Sequence, residues 1–83
     1  MNIDSIEQKV KEIIYSCLNN RIAHDDITKE KDLIYDLRVE SFELIQIFYS
    51  IAAEFSIALD KNELGTLKSV YDIVMYIHNK DTV

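Results

Sequence analysis

Ser41 is the residue whose position most suggests chemistry, because it follows the acidic Glu40 and precedes a long apolar run that begins at Phe42. A serine before an apolar run is commonly a helix N-cap, whose hydroxyl accepts a hydrogen bond from the first turn. The serine alone therefore favours a structural role at the start of a helix. A chemical role needs support from the surrounding sequence.

The remaining reactive residues do not form a recognisable catalytic or metal-binding pattern. Cys17 falls on the apolar face of a predicted helix, so we expect a buried core thiol rather than a nucleophile paired with His24. His24 and His78 lack the spacing of metal ligands, and both are expected on the surface. The acidic run "HDDITKEKD" has no mid-loop glycine for a calcium site. We predict no metal site and no catalytic residue, so the protein should not be an enzyme.

Length and composition predict one small all-α domain spanning residues 1–83. The chain is 48% hydrophobic, lacks proline and has one glycine, which leaves few places for tight turns. A formal net charge of -6 disfavours nucleic acid and anionic membranes as partners. No apolar segment is long enough to span a bilayer, and "MNIDSIEQ" lacks the features of a signal peptide, so a cytoplasmic location is expected. We also expect a monomer.

Apolar periodicity predicts three main helices and one short helical turn. The first helix starts near a possible capping box of Asp4 and Glu7, the short turn is capped by Asp60 with Glu63, and the last helix starts at a Ser69–Asp72 box. Gly65 is expected to end the short turn in a left-handed conformation. The segment 19–40 is predicted to be a long connection, whose isolated apolar residues enter the core: Ile22, Ile27, Leu33, Ile34 and Leu37.

The second helix, predicted from Ser41 to about Phe55, carries more apolar surface than one neighbour can cover. At about 100° per residue, one apolar stripe contains Leu44, Ile47, Phe48, Ile51 and Phe55. A polar wedge beside it contains Glu43, Gln46, Ser50 and Glu54. A second apolar stripe contains Phe42, Ile45, Tyr49 and Ala52. Either the long connection covers this second stripe, or the stripe meets a partner or ligand.

The segments "DLRVESFELIQIFYSIAAEFSIAL" and "TLKSVYDIVMYI" closely resemble the acyl carrier protein family. The family pattern is Asp-Leu-Gly-x-Asp-Ser-Leu, a helix that ends in Glu-Glu-Phe or similar, and a Thr-x-x-x-Val-x-x-x-x-x-Tyr-Ile close. The match runs without a gap from Asp36 to Ile77, and the first helix and long connection also fit. The resemblance therefore covers nearly the whole chain.

The resemblance implies that Ser41 carries 4'-phosphopantetheine, which a phosphopantetheinyl transferase takes from coenzyme A. The arm would hold acyl groups as thioesters for acyl-transferring, condensing or modifying enzymes of fatty-acid, polyketide or specialised-metabolite biosynthesis. Backbone N–H groups and the helix dipole at this N-terminus favour the attached phosphate. Three residues depart from the pattern: Arg38 replaces the glycine, Glu40 the aspartate and Phe42 the leucine.

The resemblance also predicts two further sets of residues. The second helix should contact partner enzymes, with an unusually apolar character, through Glu40, Phe42, Glu43, Ile45, Tyr49 and Glu54. An acyl chain should shelter near Leu44, Ile47, Ile51, Leu64 and Ile73. The alternative hypothesis is a helical interaction module that keeps the carrier fold and is never modified.

Overall fold

The computed structural model describes residues 2–19 and 21–81 of the chain. Its helices are α1 (Ile3–Cys17), α2 (Ser41–Phe55), α3 (Lys61–Leu64) and α4 (Val70–Asp81), with a 3-10 turn at His24–Asp26 in the long connection. The only β-type pairing in the described part of the chain is an isolated bridge between Asp32 and Ser69. The all-α prediction is confirmed, with three long helices and the short α3. The 3-10 turn was not predicted.

The first and last long helices differ in how well their starts were predicted. Asn2, not Asp4, caps α1, and the Asn2 side-chain oxygen accepts a hydrogen bond from Ser5 N at 2.8 Å. The capping box at α4 is confirmed, because Asp72 Oδ2 accepts from Ser69 N and Ser69 Oγ accepts from Asp72 N, each at 3.1 Å. Local polar spacing therefore located one start and missed the other by two residues.

The short helix α3 begins as predicted and ends differently. Asp60 is its N-cap and accepts a hydrogen bond from Asn62 N at 2.8 Å. Gly65 has φ −65° and ψ −15°, so the predicted left-handed glycine is wrong. The chain leaves α3 through right-handed backbone that any residue can adopt, with Thr66 N and Thr66 Oγ1 both donating to the Glu63 carbonyl.

Helix α1 packs against both α2 and α4, and the core forms between these helices and the long connection. The side chains of Ile27, Leu33 and Leu37 are buried as predicted, and Ile22 is partly buried. Ile34 is 49% exposed, so its predicted place in the core is wrong. The other buried apolar residues are Ile6, Val10, Ile14, Leu18, Val39, Ile47, Phe48, Ile51, Val70, Ile73, Val74 and Ile77.

Backbone hydrogen bonds attach the long connection to the start of α4. Leu33 N donates to the Lys68 carbonyl at 2.8 Å, Val70 N donates to the Lys31 carbonyl at 3.1 Å, and Tyr71 N donates to the Lys29 carbonyl at 2.9 Å. These bonds and the buried side chains hold the part of the connection that follows the 3-10 turn. Residues 29–39 are therefore attached to the scaffold that leads into α2.

The cysteine and both histidines are partly buried, whereas the sequence predicted a buried thiol and two surface histidines. Cys17 packs against the core but is only partly buried, with its Sγ 4.0 Å from Ser50 Oγ. His24 is partly buried with its ring edge-on to Tyr15 at 5.5 Å, and His78 is also partly buried, so the surface prediction is wrong for both. Neither a helix able to cross a membrane nor a group of potential metal ligands was found within residues 2–19 and 21–81.

Candidate functional site

Ser41 is exposed and is the first residue of α2. The N-cap is Glu40, whose carbonyl accepts the first helical hydrogen bond from Leu44 N at 2.9 Å. The prediction that Ser41 itself caps the helix is therefore wrong by one position. Because Glu40 performs the capping, the Ser41 hydroxyl is not needed to hold the helix start. An exposed hydroxyl is thus placed at the N-terminus of a helix without a structural duty there.

Glu43 connects the start of α2 to the long connection. Its Oε1 accepts hydrogen bonds from Glu40 N at 2.9 Å and from Arg21 Nη2 at 2.6 Å, and Glu40 and Glu43 form a capping box. Glu43, which the sequence placed in the polar wedge of α2, is only 5% exposed. A buried carboxylate that already has two donors is a poor contact for a partner enzyme.

The pKa of Glu43 reports the balance between burial and these two donors. Burial raises the pKa, whereas the hydrogen bond from the Glu40 backbone and the hydrogen bond and charge of Arg21 lower it. The lowering effects together exceed the effect of burial, so the pKa of Glu43 lies below its ordinary value. Glu43 is therefore charged at neutral pH and contributes to holding the first turn of α2 in place.

The backbone just before Ser41 is held by a network centred on Asp32. Asp32 Oδ1 accepts hydrogen bonds from Ile34 N and Tyr35 N, both at 2.8 Å, and Val39 N donates to the Leu33 carbonyl at 2.9 Å. Arg38 lies in this turn with φ 56°, a left-handed conformation that costs an L-residue about 1 to 2 kcal/mol. Glycine avoids that cost, which gives a physical reason for the glycine of the resembling family at this position.

The second apolar stripe of α2 is open to solvent. Phe42 is 59% exposed, Ile45 56% and Tyr49 74%, and these three residues are called the outer face below. Ile47 and Ile51, on the first stripe, are fully buried. The alternative that the long connection covers the outer face is therefore wrong. Packing in the core explains why the first stripe is apolar, but it does not explain the apolar residues of the outer face.

The residues predicted to line an acyl-chain cavity do not share one cavity. Ile47, Ile51 and Ile73 are no more than 1% exposed and pack within the core. Leu44 and Leu64 are only partly buried and line an open groove of about 280 Å³, together with the turn around Ile34 and Tyr35 and the residues after α3. Two of the five predicted residues are thus accessible from the surface without rearrangement of the core.

The acidic side chains along α2 are mostly engaged within the protein. Glu43 pairs with Arg21, and Glu54 Oε2 lies 3.2 Å from Lys9 Nζ on α1. Glu40 is exposed beside Ser41. Sequence reasoning did not identify Arg21 and Lys9, because each is separated from its glutamate by more than twenty residues and no local pattern links them. The charge available for docking on α2 is therefore smaller than the sequence indicates.

Comparison with known proteins identifies the family. No family model matches the chain. Proteins named "Acyl carrier protein" from Rickettsia typhi and Rickettsia prowazekii are each 32% identical to it over 79 residues, which cover 95% of this chain and 90% of each relative. The protein of the same name from Rickettsia canadensis is 30% identical over the same coverage. The chain belongs to the acyl carrier protein family, and it is a carrier protein rather than an enzyme.

Proposed function

We propose that Ser41 carries a 4'-phosphopantetheine arm on which the protein tethers acyl intermediates as thioesters. The observation that carries this proposal is the exposed Ser41 hydroxyl at the first position of α2, in a chain that belongs to the acyl carrier protein family. The surroundings fit a phosphodiester. The N–H groups of Ser41 and Phe42 precede the first intrahelical hydrogen bond, which Leu44 N makes, and they lie at the positive end of the helix dipole.

Loading is a phosphoryl-group transfer onto this chain. The Ser41 hydroxyl oxygen forms a bond to the phosphorus that bears the pantetheine of coenzyme A. The bond from that phosphorus to the bridging oxygen breaks, and 3',5'-ADP leaves with the electron pair. The hydroxyl proton passes to a base of the phosphopantetheinyl transferase. This chain contributes the hydroxyl and the ordered helix start, and the arm supplies a terminal thiol that forms thioesters.

Hydrogen bonds on both sides of Ser41 support such a role. The Asp32 network fixes the turn before Ser41, and the Glu43 contacts with Glu40 and Arg21 fix the turn after it. A transferase and several later enzymes would therefore meet the same hydroxyl position each time. The cofactor, the fatty-acid, polyketide or specialised pathway, the monomeric state and the cytoplasmic location are all parts of this proposal.

The alternative is an interaction module that is never modified, and intact mass separates the two. The apo protein would be incubated with coenzyme A, Mg²⁺ and a broad-specificity phosphopantetheinyl transferase. We expect the mass to rise by one phosphopantetheine group, with no change when the transferase is omitted. An unchanged mass after prolonged incubation with active transferase would favour the module.

For the acyl chain, we propose that it enters at the groove lined by Leu44 and Leu64 and reaches toward Ile47, Ile51 and Ile73. The groove supports this entry because it is open and partly apolar, whereas the three isoleucines are buried. Each methylene removed from water contributes about 0.8 kcal/mol. The acylated protein should therefore melt at a temperature that rises with chain length above that of the unacylated holo form. A melting temperature independent of chain length would place the chain outside the protein.

A further inference from the structure

Arg38 is held in a backbone conformation that glycine adopts more easily. Its φ of 56° is left-handed, which costs an L-residue free energy that glycine avoids. The neighbours on both sides fix this backbone, because Leu37 and Val39 are buried in the core and Leu37 N donates to the Asp32 carbonyl at 3.0 Å. A strained residue that its neighbours hold in place, close to a reactive residue, suggests a role at that site.

The guanidinium of Arg38 is exposed and unpaired. Among residues 2–19 and 21–81, it takes part in no hydrogen bond, ion pair or ring contact. Arg21, the other arginine of the chain, is bound to Glu43 Oε1 at 2.6 Å. Glu40 is exposed only two residues from Arg38, and even these two side chains do not pair. A chain with a formal net charge of -6 thus has an unpaired arginine just before α2.

Loading of Ser41 would add negative charge where the protein already has an exposed acid. Glu40 directly precedes Ser41, and a phosphodiester on the Ser41 oxygen carries a further negative charge. The positive end of the α2 dipole offsets part of this repulsion. Arg21 contributes little to the rest, because its charge is already paired with Glu43. An unpaired cation close to Ser41 would therefore stabilise the loaded form more than the apo form.

We propose that Arg38 is a positioning residue for the arm, whose guanidinium pairs with the phosphodiester on Ser41, a proposal that rests on the proposed function. The Cα atoms of Arg38 and Ser41 are no more than about 11 Å apart, since an extended chain advances at most about 3.6 Å per residue. The arginine side chain and the phosphorylated serine side chain together can span that distance. A planar guanidinium also matches the oxygens of a phosphate better than an ammonium does.

The strain and the charge of Arg38 can be separated, because only the charge should respond to loading. The left-handed backbone is present before and after loading, so its cost cancels when the holo and apo forms of one variant are compared. Arg38→Gly removes both the strain and the charge, Arg38→Ala removes the charge alone, and Arg38→Lys keeps both. The three variants therefore distinguish a contact with the phosphate from a change in the turn.

The test compares melting temperatures of the full-length apo and holo forms at low salt, with loading verified by intact mass. The holo-minus-apo difference should be higher for the wild type than for Arg38→Ala by about 1 to 8 °C, the shift that one exposed ion pair gives in a domain of this size. Arg38→Gly should give the same difference as Arg38→Ala, and Arg38→Lys should recover most of the wild-type value. Lys29→Ala removes another exposed positive charge from the connection and should match the wild type.

Phosphorus-31 NMR and salt complete the test. The phosphodiester resonance of the holo wild type should differ from that of holo Arg38→Ala and coincide with that of holo Lys29→Ala. At about 1 M salt, where the screening length is about 3 Å, the melting difference between the wild type and Arg38→Ala should fall to less than about half.

Three results would overturn the pairing while leaving Ser41 as the loaded residue. The first is an equal holo-minus-apo difference for the wild type and Arg38→Ala at low salt. The second is an unchanged phosphorus-31 resonance in Arg38→Ala. The third is a wild type that loads while the Arg38 variants do not, because Arg38 would then act on the transferase rather than on the arm. Failure of the wild type to load would overturn both proposals.

Discussion

The two apolar faces of α2 have similar residues and opposite environments. Ile51 on the inner face is 1% exposed, whereas Ile45 on the outer face is 56% exposed, although the two positions are less than two turns apart. The inner face completes the core with α1 and α4. The outer face starts next to Ser41 and contributes little to the core. The comparison shows that apolar character alone does not distinguish a residue that stabilises the fold from one available for contact.

The largest difference should appear when the same substitution is made on each face. Ile51→Ala removes buried methylene groups and leaves a cavity, so it should lower the free energy of unfolding by about 2 to 5 kcal/mol. Ile45→Ala should change it by no more than about 0.5 kcal/mol, because its side chain is mostly in water in both states. Urea unfolding followed by helical circular dichroism measures both. Equal losses would mean that the outer face is part of the core.

A smaller difference should separate the two glutamates of α2. Glu43→Gln weakens the bond between a buried carboxylate and the partly exposed Arg21, so we expect a loss of about 1 to 3 kcal/mol. Glu54→Gln weakens an exposed pair with Lys9 and should cost at most about 1 kcal/mol. Urea titrations at neutral pH would measure the free energy of unfolding of both variants. A greater loss for Glu54→Gln would mean that Glu54, rather than Glu43, stabilises the fold.

The pair of Glu43 and Arg21 also predicts that the stability of the protein depends on pH. The pKa of Glu43 is lowered in the folded state, so the unfolded chain binds more protons in the acidic range. Its contribution to stability is present above the unfolded-state pKa of about 4.3 and disappears as the pH falls through the lower folded-state pKa. The difference in unfolding free energy between the wild type and Glu43→Gln should therefore shrink as the pH is lowered below about 4. A constant difference would contradict the ionised state of Glu43.

The smallest predicted effect concerns the turn that leads to Ser41. Arg38→Gly should raise the free energy of unfolding by up to about 1 kcal/mol, because relief of the left-handed strain exceeds the added freedom of the unfolded chain. Arg38→Ala removes the charge and keeps the strain, and it should not stabilise the protein. Thermal melts of the two variants distinguish them, and stabilisation by both would assign the effect to charge.

Local patterns in the sequence predicted the helices better than they predicted the environment of individual residues. The apolar periodicity of α2 gave bounds of Ser41 to about Phe55 that the structure confirms. The burial of Glu43 could not be predicted because its partner, Arg21, lies in the irregular connection after α1. A left-handed residue was predicted at Gly65, but the positive φ angles of the described residues occur at Asn19, Arg38 and Ser56. At Arg38 the Asp32 network, not glycine content, sets the backbone of the turn. Long-range pairs and loop conformations are not encoded in short-range spacing.

The central claim is that the exposed hydroxyl of Ser41, beside the outer face, is the site of the phosphopantetheine arm. The most direct test is intact mass after loading of the wild type, Ser41→Ala and Ser50→Ala, with helical circular dichroism recorded on the same samples. We predict one added phosphopantetheine group on the wild type and on Ser50→Ala, and none on a Ser41→Ala protein that keeps its helical spectrum. Loading of Ser41→Ala, or a helical Ser50→Ala that fails to load, would contradict the assignment of the arm to Ser41.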